Sequence, residues 1–282
     1  MQPLREILLW VRRELEDIDK DSAWLESELL VSFVLNKDRV DIYTVDYLSH
    51  EQILQLKKLI KLRKQRYPLS YILQKKYFYD AEFLVKKGVL APRNETELLI
   101  DVSIDTIRDF SIKKVLDVGT GSGNIAISIV KVLPHLEVYA CDISPLSLNL
   151  AKINAKKNGV YEKIKFFLGP FLYSVYLRNY DFDLIVSNPP YIASWEMPFL
   201  QEEVKKEPWE ALYGGWDGCE FYREIFAILK KFKKGIFIFE LSPFIIEKIK
   251  TLIEENFMRY RIDFYKDLSG NERVVRLIWG CI

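Results

Sequence analysis

Cysteine is scarce. Cys141, Cys219 and Cys281 are odd in number, widely separated and without metal-ligand spacing, which argues against both a disulfide framework and a zinc or other metal site. A reducing cytoplasm is the expected setting. Long hydrophobic runs are also missing: stretches such as Ile236-Phe237-Ile238-Phe239 are far too short to span a bilayer. The segment Met1 to Glu16 carries Arg12, Arg13, Glu14 and Glu16 and has no signal-peptide core, so neither export nor a membrane partner is expected. Charge of one sign is not in excess. With 41 Lys and Arg against 40 Asp and Glu, the net charge is +1, which argues against a surface built wholly for nucleic acid while leaving room for a local patch. Internal repeats and low-complexity segments are absent.

What is present supports one large domain and a smaller one, since 49% of 282 residues are hydrophobic and 29% charged. Residues 1–76 read as helices with no strand. Leu25, Leu29, Leu30 and Phe33 recur at helical spacing, as do Ile53, Leu56, Leu59 and Ile60. Ser49 with Gln52 three residues on is a capping-box start. The outer face of that helix carries Lys57, Lys58, Lys61, Arg63, Lys64 and Arg66, either a solvated face or a docking stripe for an acidic surface. Residues 77–92 read as a hairpin linker broken at Lys86-Lys87-Gly88.

Residues 93–282 form the third segment. Strands are expected at Lys114 to Val118, Glu137 to Cys141, Ile164 to Leu168, Asp183 to Ser187 and Gly235 to Leu241. Helices are expected at Asn124 to Leu133, Pro145 to Asn158 and Cys219 to Phe232. This alternation predicts an α/β, Rossmann-like, doubly wound and mostly parallel sheet. The closing runs Arg261 to Tyr265 and Arg273 to Trp279 flank a turn-prone Asp267-Leu268-Ser269-Gly270-Asn271 and predict an antiparallel last strand.

Asn188-Pro189-Pro190-Tyr191 follows the apolar strand ending at Ser187. Successive prolines hold the chain extended and rigid. Pro189 then offers a carbonyl with no competing N–H, beside the Asn188 amide oxygen. Two neighbouring acceptors can hold both hydrogens of a planar NH2 group, with the Tyr191 ring lying against it. Taken alone, the tetrapeptide also fits a proline-terminated strand and an ordinary turn.

Asp117-Val118-Gly119-Thr120-Gly121-Ser122-Gly123 runs from a buried strand through a glycine-rich turn into a helix. Glycines let backbone N–H groups approach a ligand, and the helix N-terminus favours negative charge. The G-x-G-x-G spacing departs from the dinucleotide fingerprint and suits a smaller adenosyl ligand. Asp142 stands at the next strand end, where doubly wound nucleotide sites keep a carboxylate for ribose hydroxyls. A tight strand-to-helix turn without a ligand is the plainer reading of the glycines.

With these motifs in place, the sequence resembles the class I S-adenosylmethionine-dependent methyltransferases, and within them the HemK/PrmC family of protein-glutamine N5-methyltransferases that modify bacterial class 1 peptide-chain release factors. The resemblance extends through Tyr67-Pro68-Leu69-Ser70-Tyr71, Pro92-Arg93-Asn94-Glu95-Thr96-Glu97, Glu207-Pro208-Trp209-Glu210-Ala211-Leu212, Gly214-Gly215-Trp216-Asp217-Gly218 and Gly270-Asn271-Glu272-Arg273. It implies that Gly119, Thr120, Gly121, Ser122 and Gly123 border the methionine part of S-adenosylmethionine and that Asp142 binds the ribose. It further implies that Pro170 faces the adenine, and that Asn188 sits between cofactor and substrate. Asn188, Pro189, Pro190 and Tyr191 grip the substrate glutamine, with Asn188, Pro189 and Tyr191 catalytic. Leu90, Arg93 and Glu97 help cover the cofactor. The N-terminal helical domain recognises the substrate. The sequence departs from the family at Asn94, where proline is frequent, and at Leu168-Gly169-Pro170-Phe171, where an acid is common.

The expected reaction is methyl transfer to the side-chain amide nitrogen of the glutamine in a Gly-Gly-Gln motif, in the cytoplasm, with S-adenosyl-L-homocysteine as product. Alternatives are a glutamine methyltransferase of a ribosomal protein, a nucleic-acid amino methyltransferase acting on adenine N6 or guanine N2, and a non-enzymatic S-adenosylmethionine sensor. A nucleic-acid enzyme usually adds a recognition region to extrude its base. This chain adds only a small helical domain, so no direct nucleic-acid substrate is expected.

Overall fold

Along Gly235-Ile236-Phe237-Ile238-Phe239-Glu240 both alternating sets of side chains are apolar, so a strand built from them needs cover on both faces. In the computed structural model, Ile236 and Ile238 join one core cluster and Phe237 and Phe239 the other, on opposite faces of a seven-stranded sheet. The structure describes residues 1–170 and 182–280, so Phe171 and Cys281 lie outside the described residues. The chain divides into two units, Met1–Lys75 with Gln201–Lys206, and Lys76–Leu200 with Glu207–Ile282.

The first unit contains β1 (Gln2–Pro3), α1 (Leu4–Leu15), α2 (Ala23–Leu35), β2 (Tyr47–Leu48), α3 (His50–Lys64) and α4 (Leu69–Leu73). The capping box forms as expected: Gln52 N donates to Ser49 Oγ at 3.2 Å and Ser49 N to Gln52 Oε1 at 2.8 Å. Contrary to what the sequence pattern predicts, the unit is not wholly helical and its basic stripe is not wholly exposed. A two-residue antiparallel pairing joins β1 and β2, too short to leave a period in the sequence. Arg63 is not on the outer face of α3. Its side chain is buried, with Nε and Nη2 donating to Glu26 at 2.8 and 3.0 Å and Nη1 to Glu203 at 2.9 Å. Those bonds help tie Gln201–Lys206 to this unit, an association invisible to local pattern. Arg63→Ala would strand the buried Glu26 carboxylate beside a void. The expected loss is about 3–5 kcal/mol of stability, read by urea unfolding, whereas Lys57→Ala should change it by under about 0.5 kcal/mol.

In the second unit β3 (Lys75–Phe78) and β4 (Ala81–Leu84) form a two-stranded sheet. Its turn is Tyr79-Asp80 rather than the expected Lys86-Lys87-Gly88. Tyr79 takes a left-handed φ of 56° and its N–H donates to Glu97 Oε1 at 2.9 Å, so a distant carboxylate supports a conformation that sequence alone disfavours. The sheet and its helices follow as α5 (Thr96–Asp109), β5 (Lys114–Val118), α6 (Asn124–Val132), β6 (Glu137–Asp142), α7 (Pro145–Lys157), β7 (Ile164–Leu168), β8 (Leu184–Ser187), α8 (Glu220–Leu229), β9 (Gly235–Glu240), α9 (Ile246–Asn256), β10 (Tyr260–Lys266) and β11 (Glu272–Trp279).

Strand order is β10-β11-β9-β8-β5-β6-β7. β5 runs parallel to β6 and β8, and β9 parallel to β8, while β11 is antiparallel to β9 and β10. Residues of α5, α6 and α7 pack on one face and those of α8 and α9 on the other. Each fully buried ring such as Phe237 or Phe239 contributes about 1.5–3 kcal/mol. An exposed ion pair contributes at most about 1 kcal/mol, so the two apolar layers set the register. That register places Val118 beside Cys141 and Ser187, and Ser187 beside Phe239. The residues that follow, Gly119, Asp142, Asn188 and Glu240, therefore share the carboxyl edge of the sheet, where open α/β sheets bind ligands.

Candidate active site

The turn after β5 is held to β6 by its backbone. Gly119 N and Thr120 N both donate to Cys141 O, at 3.0 and 2.9 Å. Gly119 has φ 72°, and a Cβ there would meet no atom within 4 Å, so the turn presents bare backbone to open space. At the end of β6 the Asp142 carboxylate accepts from Gly121 N and Ser144 N, each at 2.8 Å, through different oxygens. Burial raises its pKa, opposed by these backbone bonds. Each oxygen keeps lone-pair capacity for a further donor.

Asp117, on β5 two residues before Gly119, is fully buried. Its Oδ2 accepts from the Thr120 hydroxyl at 2.6 Å and from Ala126 N at 3.2 Å, and among the described residues its Oδ1 has no partner. Burial pushes this carboxyl up to about 7, against those two bonds. An unfolded Asp releases its proton near 4, so between about pH 4 and 7 the unfolded chain binds fewer protons and stability falls as pH rises. The wild type should lose on the order of 2 kcal/mol between pH 5 and 8 that Asp117→Asn does not lose, measured by denaturant unfolding at the two pH values.

On β8, Ser187 Oγ donates to Val118 O at 2.8 Å. Asn188 follows with its Nδ2 donating to Thr96 Oγ1 at 3.0 Å. Thr96 Oγ1 donates to Glu240 Oε2 at 2.7 Å, and the Tyr191 hydroxyl donates to Glu240 Oε1 at 2.9 Å. Glu240 is 1% exposed. Burial raises its pKa, opposed by the two hydroxyls and the Arg273 cation. The chain beyond Tyr191 is clamped as Ile192 N donates to Leu212 O and Gly214 N to Ile192 O, at 3.0 and 2.8 Å. Gly214 lies so close that a Cβ would stand 2.7 Å from Tyr191 Cα and 2.9 Å from Pro190 O. Backbone must move to admit it. Gly214→Ala is expected to destabilise the fold by about 1–3 kcal/mol, the usual cost of overpacking a filled site, measured by denaturant unfolding.

One cavity of about 610 Å³ gathers these parts, a size typical of small-molecule sites. Of the residues expected at the site, Gly119, Thr120, Gly121, Ser122, Asp142, Pro170, Asn188, Pro189 and Pro190 line it. Gly123 and Tyr191 do not. Gly123 instead lets α6 approach α7, a Cβ there falling 2.9 Å from Ile127 Cδ1 and 3.1 Å from Ala151 Cβ. The Tyr191 ring packs on the apolar cluster of the α8 face, and its hydroxyl is committed to Glu240. Leu90 and Arg93 line the cavity. Arg93 pairs with the buried Glu207, and Glu97 is occupied at the Tyr79 turn. Sequence reasoning missed Glu240 and the part played by Thr96. The available signal was an acid closing an otherwise apolar strand, Gly235-Ile236-Phe237-Ile238-Phe239-Glu240.

A mostly parallel seven-stranded sheet with β11 antiparallel, and a glycine turn, a carboxylate and Asn188-Pro189-Pro190 meeting at its carboxyl edge, define a class I methyltransferase. The family model "Methyltransferase small domain" matches residues 93–207, and "PrmC N-terminal domain" matches residues 6–73. The release factor glutamine methyltransferase of Dictyoglomus turgidum is 54% identical over 99% of both chains. That of Clostridium acetobutylicum is 36% identical over 98% of this chain and 99% of its own, and that of Bacillus subtilis 31% identical over 98% and 97%. The hMettl16 catalytic domain, solved with an MAT2A 3'UTR hairpin, superposes with a TM-score of 0.55 over 82% of this chain and 81% of its own. At 15% identity that likeness concerns the fold alone. The chain belongs to the release factor glutamine methyltransferase family, HemK/PrmC.

Proposed function

We propose that this enzyme transfers a methyl group from S-adenosylmethionine to the side-chain amide nitrogen of the Gly-Gly-Gln glutamine of class 1 release factors. The observation that carries the reading is the single cavity in which the glycine turn and Asp142 meet Asn188-Pro189-Pro190. The wall suits an adenosyl ligand with a charged amino-acid end. Gly119 leaves backbone uncovered, Asp142 offers two acceptor oxygens for ribose hydroxyls, and Pro170, Phe221 and Ile225 add apolar surface.

The bound cofactor supplies an electrophilic methyl on a sulfonium. The chain's task is the nucleophile, because a carboxamide nitrogen delocalises its lone pair into the carbonyl. Asn188 Oδ1 and the Pro189 carbonyl accept the two amide hydrogens. They favour positive charge growing on nitrogen and aim its lone pair across the cavity. Orientation supplies up to about 7–11 kcal/mol. No general base is needed, since the methylated amide is strongly acidic and loses its proton to water. The N-terminal helical unit is assigned to recognition of the release factor, and the reaction to the cytoplasm. Among the described residues no helix is long and apolar enough to cross a membrane.

The test is transfer of labelled methyl to a class 1 release factor, beside a Gly-Gly-Ala variant of that factor, ribosomal protein and DNA. Label confined to the unaltered factor is expected. Label on ribosomal protein or DNA with none on the factor overturns the substrate assignment.

A further inference from the structure

Asn188 can act as an acceptor only if its amide is the right way round. Its Oδ1 and NH2 are nearly alike in shape, so packing alone discriminates poorly between the two orientations. Hydrogen bonding discriminates well. Both oxygens of Glu240 accept a hydroxyl hydrogen, from Thr96 at 2.7 Å and from Tyr191 at 2.9 Å. A threonine hydroxyl has one hydrogen. Once it is given to Glu240, Thr96 Oγ1 can only accept from Asn188, which it does at 3.0 Å from Nδ2. The Asn188 NH2 group is thereby turned to Thr96, leaving Oδ1 as the acceptor. Turning the amide over would set two acceptor oxygens against each other.

We propose that Glu240 and Thr96 are positioning residues which, through the one-way chain Asn188 to Thr96 to Glu240, hold the Asn188 amide oxygen toward the substrate NH2. The inference rests on the reaction proposed above. It assigns a task to the Thr96 of Pro92-Arg93-Asn94-Glu95-Thr96-Glu97 and to the acid that ends β9, neither of which touches the reacting atoms. Glu240→Gln breaks the polarity. The new NH2 can donate to Thr96 Oγ1, whose hydrogen then turns to Asn188 and favours the inverted amide.

The experiment compares wild type, Thr96→Val, Thr96→Ser and Glu240→Gln. Thr96→Val keeps the shape and removes the hydroxyl; Thr96→Ser restores it. We expect kcat to fall about 30-fold in Thr96→Val and Glu240→Gln, about 2 kcal/mol at 1.36 kcal/mol per tenfold. KM for the acceptor and calorimetric affinity for S-adenosylmethionine should stay within about threefold, and Thr96→Ser should recover most of kcat. A second readout needs no turnover. In 15N spectra the Asn188 side-chain NH2 should be protected from solvent exchange in wild type and Thr96→Ser and lose protection in Thr96→Val. The proposal is overturned if folded Thr96→Val keeps kcat within twofold, if Thr96→Ser falls as far as Thr96→Val, or if protection is the same in all. If the wild type methylates a different acceptor, the substrate assignment fails, and the same variants on that acceptor, with the exchange measurement, still decide this inference.

Discussion

Asn188→Ala is expected to lower kcat by about 10³-fold, the scale of losing a preorganised group that stabilises developing charge, while calorimetry shows S-adenosylmethionine binding within a few-fold of wild type. The asymmetry follows from where the side chain is anchored. Its NH2 is tied to Thr96, and Ser187 separately ties the end of β8 to Val118. The glycine turn hangs from Cys141 O and does not depend on the Asn188 amide. Near-normal turnover would mean that the acceptor pair is not what activates the nitrogen. Loss of cofactor binding in parallel with turnover would mean that the substitution collapsed the shared edge of the sheet.

Asp142→Ala should show the opposite signature. Two backbone N–H groups, of Gly121 and Ser144, lose a carboxylate acceptor, and under the proposed function the ribose hydroxyls lose theirs. At about 1.5–3 kcal/mol for a hydrogen bond to a charged group, cofactor affinity is expected to fall by about 100-fold or more. At saturating cofactor, kcat should remain within about fivefold, because Asn188 and Pro189 follow a different strand, β8. Affinity within twofold of wild type would show that this carboxylate serves the turn alone. Measured together, the two variants test whether separate parts of the cavity hold the methyl donor and orient the acceptor amide.

The interior strands were readable because each is a short apolar run bounded by turn residues, and parallel pairing buries both faces. Lys114–Val118 and Ile164–Leu168 match their expected limits, and most other ends shift by a residue or two. The helices Thr96–Asp109 and Ile246–Asn256 lie outside the set that the sequence pattern predicts. In the first, Ser103 and Thr106 are buried among the apolar residues and blur the period; in the second only Ile249 and Ile253 are buried. Gly88 drew the hairpin turn to the wrong place because the glycine signal is local, whereas the support for Tyr79 comes from Glu97.

The sequence by itself determined the class of sheet, the glycine turn and the rigid Asn188-Pro189-Pro190 segment after β8, because strand periodicity, glycine freedom and proline rigidity act between near neighbours. Only the tertiary structure decided that the Asn188 NH2 donates to Thr96, that the Tyr191 hydroxyl donates to Glu240, and that Arg63 is a buried anchor. Thr96 lies 92 residues from Asn188 and 144 from Glu240, and Arg63 lies 140 from Glu203. The direction of a hydrogen bond depends on which donors and acceptors the fold brings within about 3 Å, and no local pattern in the chain encodes that.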